Sequence, residues 1–349
     1  MKILATGGAG FIGSNFITKY IEDHQILNYD KLTYAGNLNN LESIKNHKNY
    51  SFVKGDIKDS KLVKEAIFNY KPDAIVNFAA ESHVDRSIDG PQDFIETNIL
   101  GTFTLLKVSL EYYNNLKNRN TDGFKFLHIS TDEVYGSLGK TGQFKETTAY
   151  DPSSPYSASK ASSDHLVKAW FHTFNLPVLI TNCSNNYGPC QFPEKLIPLM
   201  ITNCLEHKNL PIYGKGDNVR DWIYVDDHCD GIYQVLTKGR IGETYNIGGN
   251  QEKTNIEIVK NICTILDNLV PSKEVDSYET LITFVEDRPG HDFRYAIDST
   301  KIKNELDFHP KETLKTGLNK TVKWYLENLD WINKIRTEKY NQDRLGNFK

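Results

Sequence analysis

The sequence predicts an α/β protein built on a doubly wound parallel sheet, with a smaller α/β unit for binding substrate. Three observations carry that expectation. Short apolar runs alternate with helical patterns through the first half of the chain. A glycine-rich turn follows the first of those runs. Beyond about Tyr187 the pattern loosens into loops rich in Gly, Pro, charge and aromatics.

Taken in order, KILAT (2–6), ILNYD (26–30), SFVKGD (51–56), AIVNFAA (74–80), FLHIS (126–130) and VLITNCS (178–184) read as buried strands. Apolar runs this short suit strands covered on both faces. Helical patterns occupy 12–22, 60–70, 92–117 and 156–174. Strands alternating with helices imply right-handed crossovers between parallel strands. In the second half, helical patterns at 195–207, 226–237, 255–267 and 313–328 separate the loops NYGPCQFPEKLIP, LPIYGKGDNVRDW and EDRPGHDFRYAID. No repeat, low-complexity tract or linker intervenes, so the second unit is expected to pack directly on the first with a cleft between. The expected division is 1–186 for the cofactor unit, with returning segments near 219–240 and 283–298. The substrate unit takes 187–218, 241–282 and 299–330, and 331–349 forms a tail.

The 349 residues are 25% charged and 39% hydrophobic, an ordinary globular composition. A net charge of -4 and a pI near 6.2 argue against general affinity for nucleic acid or anionic membrane. The five cysteines are odd in number and widely spaced, with no CxxC pair, which suits a reducing, cytoplasmic compartment and no zinc site. No histidine pair with a neighbouring acid suggests a metal. MKILATGGAG turns to glycine too soon for a signal peptide, and no apolar run reaches membrane length.

ATGGAGFIGSN follows the first strand and opens a helix, with Gly7, Gly10 and Gly13 in GxxGxxG spacing. Glycine permits the tight turn, the close approach of a pyrophosphate and tight helix–strand packing. The helix N-terminus offers free N–H groups to phosphate. Asp30 ends the second strand, where a carboxylate accepts from ribose hydroxyls and repels a 2′-phosphate. This is a Rossmann-type signature, and it points to NAD. Asp56, ending the third strand, is placed to meet the adenine.

YSASK sets Tyr156 and Lys160 four residues apart at the start of a helix, on one face. A free tyrosine titrates near pH ~10, and an ammonium beside it favours the phenolate, making Tyr156 a candidate base. ISTDEVYG places Asp132 and Glu133 side by side at a strand end. In isolation such a pair is solvated surface charge. A regular strand would point them to opposite faces, so a site using both predicts a turn there.

With these motifs the chain resembles the extended short-chain dehydrogenase/reductases that act on nucleotide sugars. Within them STDEVYG, NFAAESHVDRSI, CSNNYGP, QFPEKLIP, LPIYGKGDNVRDW and DRPGHDFRYAID closely resemble the dTDP-glucose 4,6-dehydratases. The resemblance runs from Met1 to about Asn328. Related sugar 4-epimerases carry small hydroxyl residues where this chain has the acid pair.

The resemblance implies a set of roles. Tyr156 and Lys160 would serve oxidation at C4, and Thr131 would hydrogen-bond the C4 oxygen. Glu133 would remove the C5 proton, and a neutral Asp132 would protonate the departing C6 hydroxyl. It also implies cofactor contacts from Phe11, Ile12, Lys31, Leu32, Thr33, Ile57, Ala79, Ala80, Ser82, Thr97 and Asn186. Substrate contacts would come from Glu81, Ser82, Asn185, Lys195, Leu196, Pro211, Tyr213, Arg220, Asn255, Arg288 and His291. Arg and Lys suit phosphate oxygens, and Tyr213 can stack on a pyrimidine. The partner would be dTDP-glucose or UDP-glucose, in deoxysugar biosynthesis of the rhamnose type. The helices at 92–117 and 156–174 would pair in a homodimer. A 4-epimerase and a non-catalytic NAD-binding regulator are the competing readings.

Overall fold

The computed structural model describes residues 1–117, 123–287 and 290–338. In chain order the strands are β1 (Lys2–Thr6), β2 (Gln25–Asp30), β3 (Tyr50–Lys54), β4 (Ala74–Asn77), β5 (Lys125–Thr131), β6 (Val178–Cys183), β7 (Asn185–Tyr187), β8 (Leu210–Tyr213), β9 (Val219–Tyr224), β10 (Thr244–Ile247), β11 (Glu252–Thr254) and β12 (Ile282–Val285). Seven of them form one sheet in the order β10-β6-β5-β4-β1-β2-β3, every pair parallel. The order reverses between β1 and β4, as in doubly wound dinucleotide-binding sheets.

Why these runs become central strands is visible in their alternation. Ile3, Ile26, Val76, Leu127 and Leu179 face one layer, with the helices Phe11–Tyr20 and Val225–Lys238. Leu4, Leu27, Ile75, Phe126 and Val178 face the other, with the helices Ser60–Tyr70, Thr102–Lys117 and Pro155–Phe174. Both faces are buried, which accounts for uninterrupted apolar runs instead of an apolar–polar alternation. A second core gathers around the helices Leu196–Leu205, Asn255–Leu269 and Leu314–Glu327. β9 joins the two. Its Trp222 and Tyr224 lie in the second core, while Ile223 lies in the first.

Two features depart from the sequence expectation. The main sheet has a seventh strand, β10, inside the span 241–282 assigned to the substrate unit. It is only four residues long, and its Asn246 is fully buried, which hides any apolar pattern. That asparagine accepts from Tyr135 OH (2.9 Å) and donates to the Phe144 carbonyl (3.0 Å), so burial leaves it satisfied. Ile302, Leu306 and Phe308, also assigned to the substrate unit, pack in the first core with β10. At the other end of the chain, Trp331, Ile332 and Ile335 are buried in the second core, so the first residues of the expected tail are packed helix.

The helix expected at 92–117 runs from Pro91 to Lys117, but with a π-helical stretch at Ile95–Gly101. The wider turn points Asn98 inward. There its carboxamide bonds the Glu81 amide (2.9 Å) and carbonyl (3.0 Å) and the Ser159 hydroxyl (2.8 Å). Such π turns recur at functional sites. Here it ties the loop after β4 to the helix that carries Tyr156.

Candidate active site

Because the main-sheet strands are parallel, their carboxyl ends share one edge, where the loops after β1, β2, β4, β5 and β6 meet. The loop after β1 forms the floor. Gly7 has φ +68, and a Cβ there would lie 2.6 Å from the Ala79 nitrogen. A Cβ on Gly13 would lie 2.5 Å from the Gly7 carbonyl oxygen. The helix beginning at Phe11 has no side-chain cap, leaving its first N–H groups for a ligand. Gly13→Val is therefore expected to abolish cofactor binding, measured as lost fluorescence quenching on addition of NAD, because backbone cannot yield to the new side chain.

Asp30 accepts from Ala9 N (2.9 Å) and Leu32 N (2.7 Å), one on each carboxylate oxygen. Lys31 pairs with Asp56 at 2.9 Å. Burial pushes the Asp56 carboxyl up, but Lys31 and the Lys58 amide outweigh it and hold it low. Gly7, Gly10, Phe11, Ile12, Gly13, Asp30, Lys31, Thr33, Asp56, Ile57, Ala79, Ala80, Ser82 and Thr97 line one cavity, joined by Glu81 and Lys195. Leu32 does not line it; its amide is committed to Asp30. Asn186 does not either, since its side chain bonds His228 Nδ1 (2.8 Å) and the Ser184 carbonyl (2.9 Å). A glycine floor, open helix amides and a ribose-height carboxylate fit a dinucleotide.

Beside it lies a second cavity, sharing Glu194 and Lys195 with the first. Asn185, Lys195, Leu196, Pro211, Tyr213, Arg220, Asn255 and His291 line it, together with Glu133. Arg288 lies outside the described residues. His83, Asp85, Glu194, Leu199, Met200 and Trp222 also line it. Glu194 lies in QFPEKLIP but was given no role there. Its carboxylate is buried against Arg86 Nε (2.8 Å), whose guanidinium sits 3.8 Å over the Tyr34 ring. Tyr213 OH donates to Asp85 (3.2 Å), and His291 meets Asp287 (2.6 Å) edge-on to the Tyr213 ring. Lys195 Nζ donates to the Ser82 carbonyl (2.9 Å). Arg220 is anchored on the Val219 and Asp292 carbonyls and stacks 4.1 Å over Tyr295.

Around the end of β5, Ile129 lines the first cavity and Glu133 the second. Thr131 caps a 3-10 turn over Asp132–Tyr135, its hydroxyl accepting from the Glu133 amide (3.3 Å). The turn breaks strand alternation, so the adjacent acids are not forced to opposite faces. Gly136 closes it at φ +87, where a Cβ would lie 2.4 Å from the Asp151 carbonyl oxygen. Asp132 is buried, and its Oδ2 finds no hydrogen-bond partner among the described residues. Burial, then Glu133 and Asp221, push its carboxyl well above the usual range, against Arg220. Asp132 is thus biased toward its protonated form, while Glu133 lines the second cavity.

Tyr156 is the second residue of the helix Pro155–Phe174, which starts with Pro155 and a Ser154–Ser157 capping box. Its ring packs edge-on against Phe94 (6.2 Å). Burial, then Glu133, hold its phenol well above its ordinary value, against a hydrogen bond with Thr131. The expected lowering is therefore left to cations at the site. Lys160, also buried, is the chain's own, and its Nζ donates to the Ile129 carbonyl (2.8 Å) on the wall of the first cavity.

A family model described as GDP-mannose 4,6 dehydratase matches residues 4–321. The chain belongs to that family. It is 55% identical over 344 residues to the dTDP-glucose 4,6-dehydratase of Xanthomonas campestris pv. campestris (strain B100), covering 98% of both chains. A crystal structure of dTDP-glucose 4,6-dehydratase from Bacillus anthracis str. Ames, in complex with NAD, is 51% identical with a TM-score of 0.83, over 96% of this chain and 99% of that one. The dTDP-glucose 4,6-dehydratase of Streptomyces venezuelae, also solved with NAD bound, is 45% identical with a TM-score of 0.87, over 96% and 100%. The 4,6-dehydratase relatives and this chain thus share one fold from end to end.

Proposed function

We propose that the protein converts dTDP-glucose to its 4-keto-6-deoxy sugar nucleotide with loss of one water. The observation that carries this reading is the acid pair at the end of β5, one member buried with its carboxyl pushed upward, the other lining the second cavity. Full-length relatives named as dTDP-glucose 4,6-dehydratases support it.

Bound NAD would supply the acceptor for a hydride from C4 and, once reduced, its donor to C6. Gly7, Gly10, Gly13, Asp30 and Asp56 would hold it. Tyr156 takes the C4 hydroxyl proton, while Thr131 orients that oxygen and Lys160 supplies positive charge beneath. A ketone at C4 acidifies the C5 proton, which Glu133 removes. Hydroxide leaves poorly, so Asp132 gives its proton to the C6 oxygen and water departs. Glu133 then returns a proton to C5. Two carboxyls whose environments separate their proton affinities can divide acid and base work in this way.

Thymine differs from uracil by one methyl, and a pocket discriminates a methyl by only ~1–3 kcal/mol. The dTDP substrate is proposed on the relatives' names. Incubation with dTDP-glucose and, separately, UDP-glucose, followed by mass spectrometry, tests this. Loss of one water, faster with dTDP, is expected. A galactose nucleotide of unchanged mass would replace the reading with an epimerase.

Ile95, Leu100 and Phe103 on one helix and Phe174 on the adjacent one are 47%, 51%, 41% and 45% exposed. A patch of that kind suits an interface, and we read it as the homodimer contact. Leu100→Asp with Phe103→Glu is expected to yield a monomer by sedimentation. An unchanged dimer would move the interface elsewhere. The five cysteines are unpaired and four are buried, in keeping with a reducing cytoplasm.

A further inference from the structure

A buried polar chain runs behind Lys160, and none of its members has a part in the steps above. Thr6 Oγ1 donates to Asn77 Oδ1 (2.6 Å), which turns the Asn77 N–H toward His128 Nδ1 (3.0 Å). A ring nitrogen that accepts carries no proton, so neutral His128 holds its proton on Nε2. That atom lies 3.4 Å from Asp164 Oδ1 and 3.4 Å from Lys160 Nζ. Asp164 Oδ2 accepts from Ser130 Oγ (2.9 Å), Tyr150 OH (3.0 Å) and Asn182 Nδ2 (3.2 Å). Its Oδ1 has no aligned hydrogen-bond donor among the described residues and lies beside the His128 ring, with the Lys160 ammonium on that ring's same nitrogen. His128, Asp164 and Lys160 are 0%, 0% and 3% exposed.

An ammonium this deep is costly without a counter-charge. Tyr156, Lys160 and Asp164 recur every fourth residue, so one helix face carries base, cation and carboxylate. We propose that Asp164, held in place by His128 and its three donors, is the counter-ion that keeps Lys160 protonated, and so a positioning residue for Tyr156. The inference rests on reading Tyr156 and Lys160 as the base and its cation. Burial pulls the Lys160 ammonium down, with Asp164 opposing it, and burial pushes the Asp164 carboxyl up, with Lys160 and the three donors opposing that. Burial, with Lys160, keeps His128 neutral. The other titratable groups facing this pair are Cys183 on β6, acting on both Lys160 and Tyr156, and Asp132 and Glu133, acting on Tyr156.

The sign of the effect separates this role from simpler ones. Without the carboxylate, Lys160 loses its proton, the phenolate loses its cation, and Tyr156 needs a higher pH. Asp164→Asn should therefore move the acid limb of kcat/KM upward by about one unit or more, which is about tenfold at pH 7, with the rate recovered at alkaline pH. The Tyr156 resonance in carbon-13 tyrosine NMR of the cofactor-free protein, identified by its absence in Tyr156→Phe, should shift its midpoint the same way. Tyr150→Phe, which removes one donor and leaves the charge, should not move it. A loss equal at every pH, or a midpoint that falls because the carboxylate acted on Tyr156 directly, would overturn the proposal. Should Asp164→Asn not fold, nitrogen-15 NMR of the unaltered protein reads the His128 tautomer. Protonation at Nε2 supports the chain, and protonation at Nδ1 refutes it. Neither NMR readout depends on turnover, so each survives an error in the substrate.

Discussion

Glu133→Gln is expected to oxidise dTDP-glucose at C4 yet lose no water, so NADH absorbance rises on mixing and does not decay. The amide cannot accept the C5 proton, and the overall rate should fall by roughly 10²- to 10⁴-fold, the ordinary worth of a positioned base. The turn itself is made by the Glu133 backbone amide and the Thr131 hydroxyl, so its geometry survives the substitution. Tyr156 and Lys160 are untouched, which is why the first half-reaction continues. Normal turnover in this variant would remove Glu133 from the mechanism.

Tyr156→Phe should fail one step earlier. With no group to take the C4 hydroxyl proton, neither NADH nor product accumulates, and turnover again falls by roughly 10²- to 10⁴-fold. The ring contact with Phe94 is kept, so the melting temperature should hardly change. The two variants together separate oxidation from elimination. If Tyr156→Phe accumulated NADH as Glu133→Gln does, the assignment of the first base would be wrong.

The parts legible in the sequence were those in which residue type and spacing carry the physics. Three glycines after a strand mark backbone that must approach a ligand, and the structure shows clashes at Gly7 and Gly13 that no side chain could relieve. The acid pair required a turn, and the turn is there. What escaped was polar and buried. β10 hides behind Asn246, whose burial is tolerable only because Tyr135 and Phe144 arrive from elsewhere in the chain. Asn98 was invisible because a π turn, which leaves no sequence periodicity, rotates it inward. Glu194 reads as a loop charge until Arg86, 108 residues away, is seen beside it. Asp164 did leave a trace, the four-residue step beyond Lys160, but its partner His128 comes from another strand. Arrangements made by tertiary contact have no local pattern to read.

The central claim is that hydride leaves C4 and returns to C6 of the same sugar while one water is lost. The most direct test incubates the enzyme with dTDP-glucose deuterated at C4 and locates the label by NMR. The account predicts a 4-keto-6-deoxy product with deuterium in its C6 methyl group. Deuterium retained at C4 of an intact hexose would contradict it.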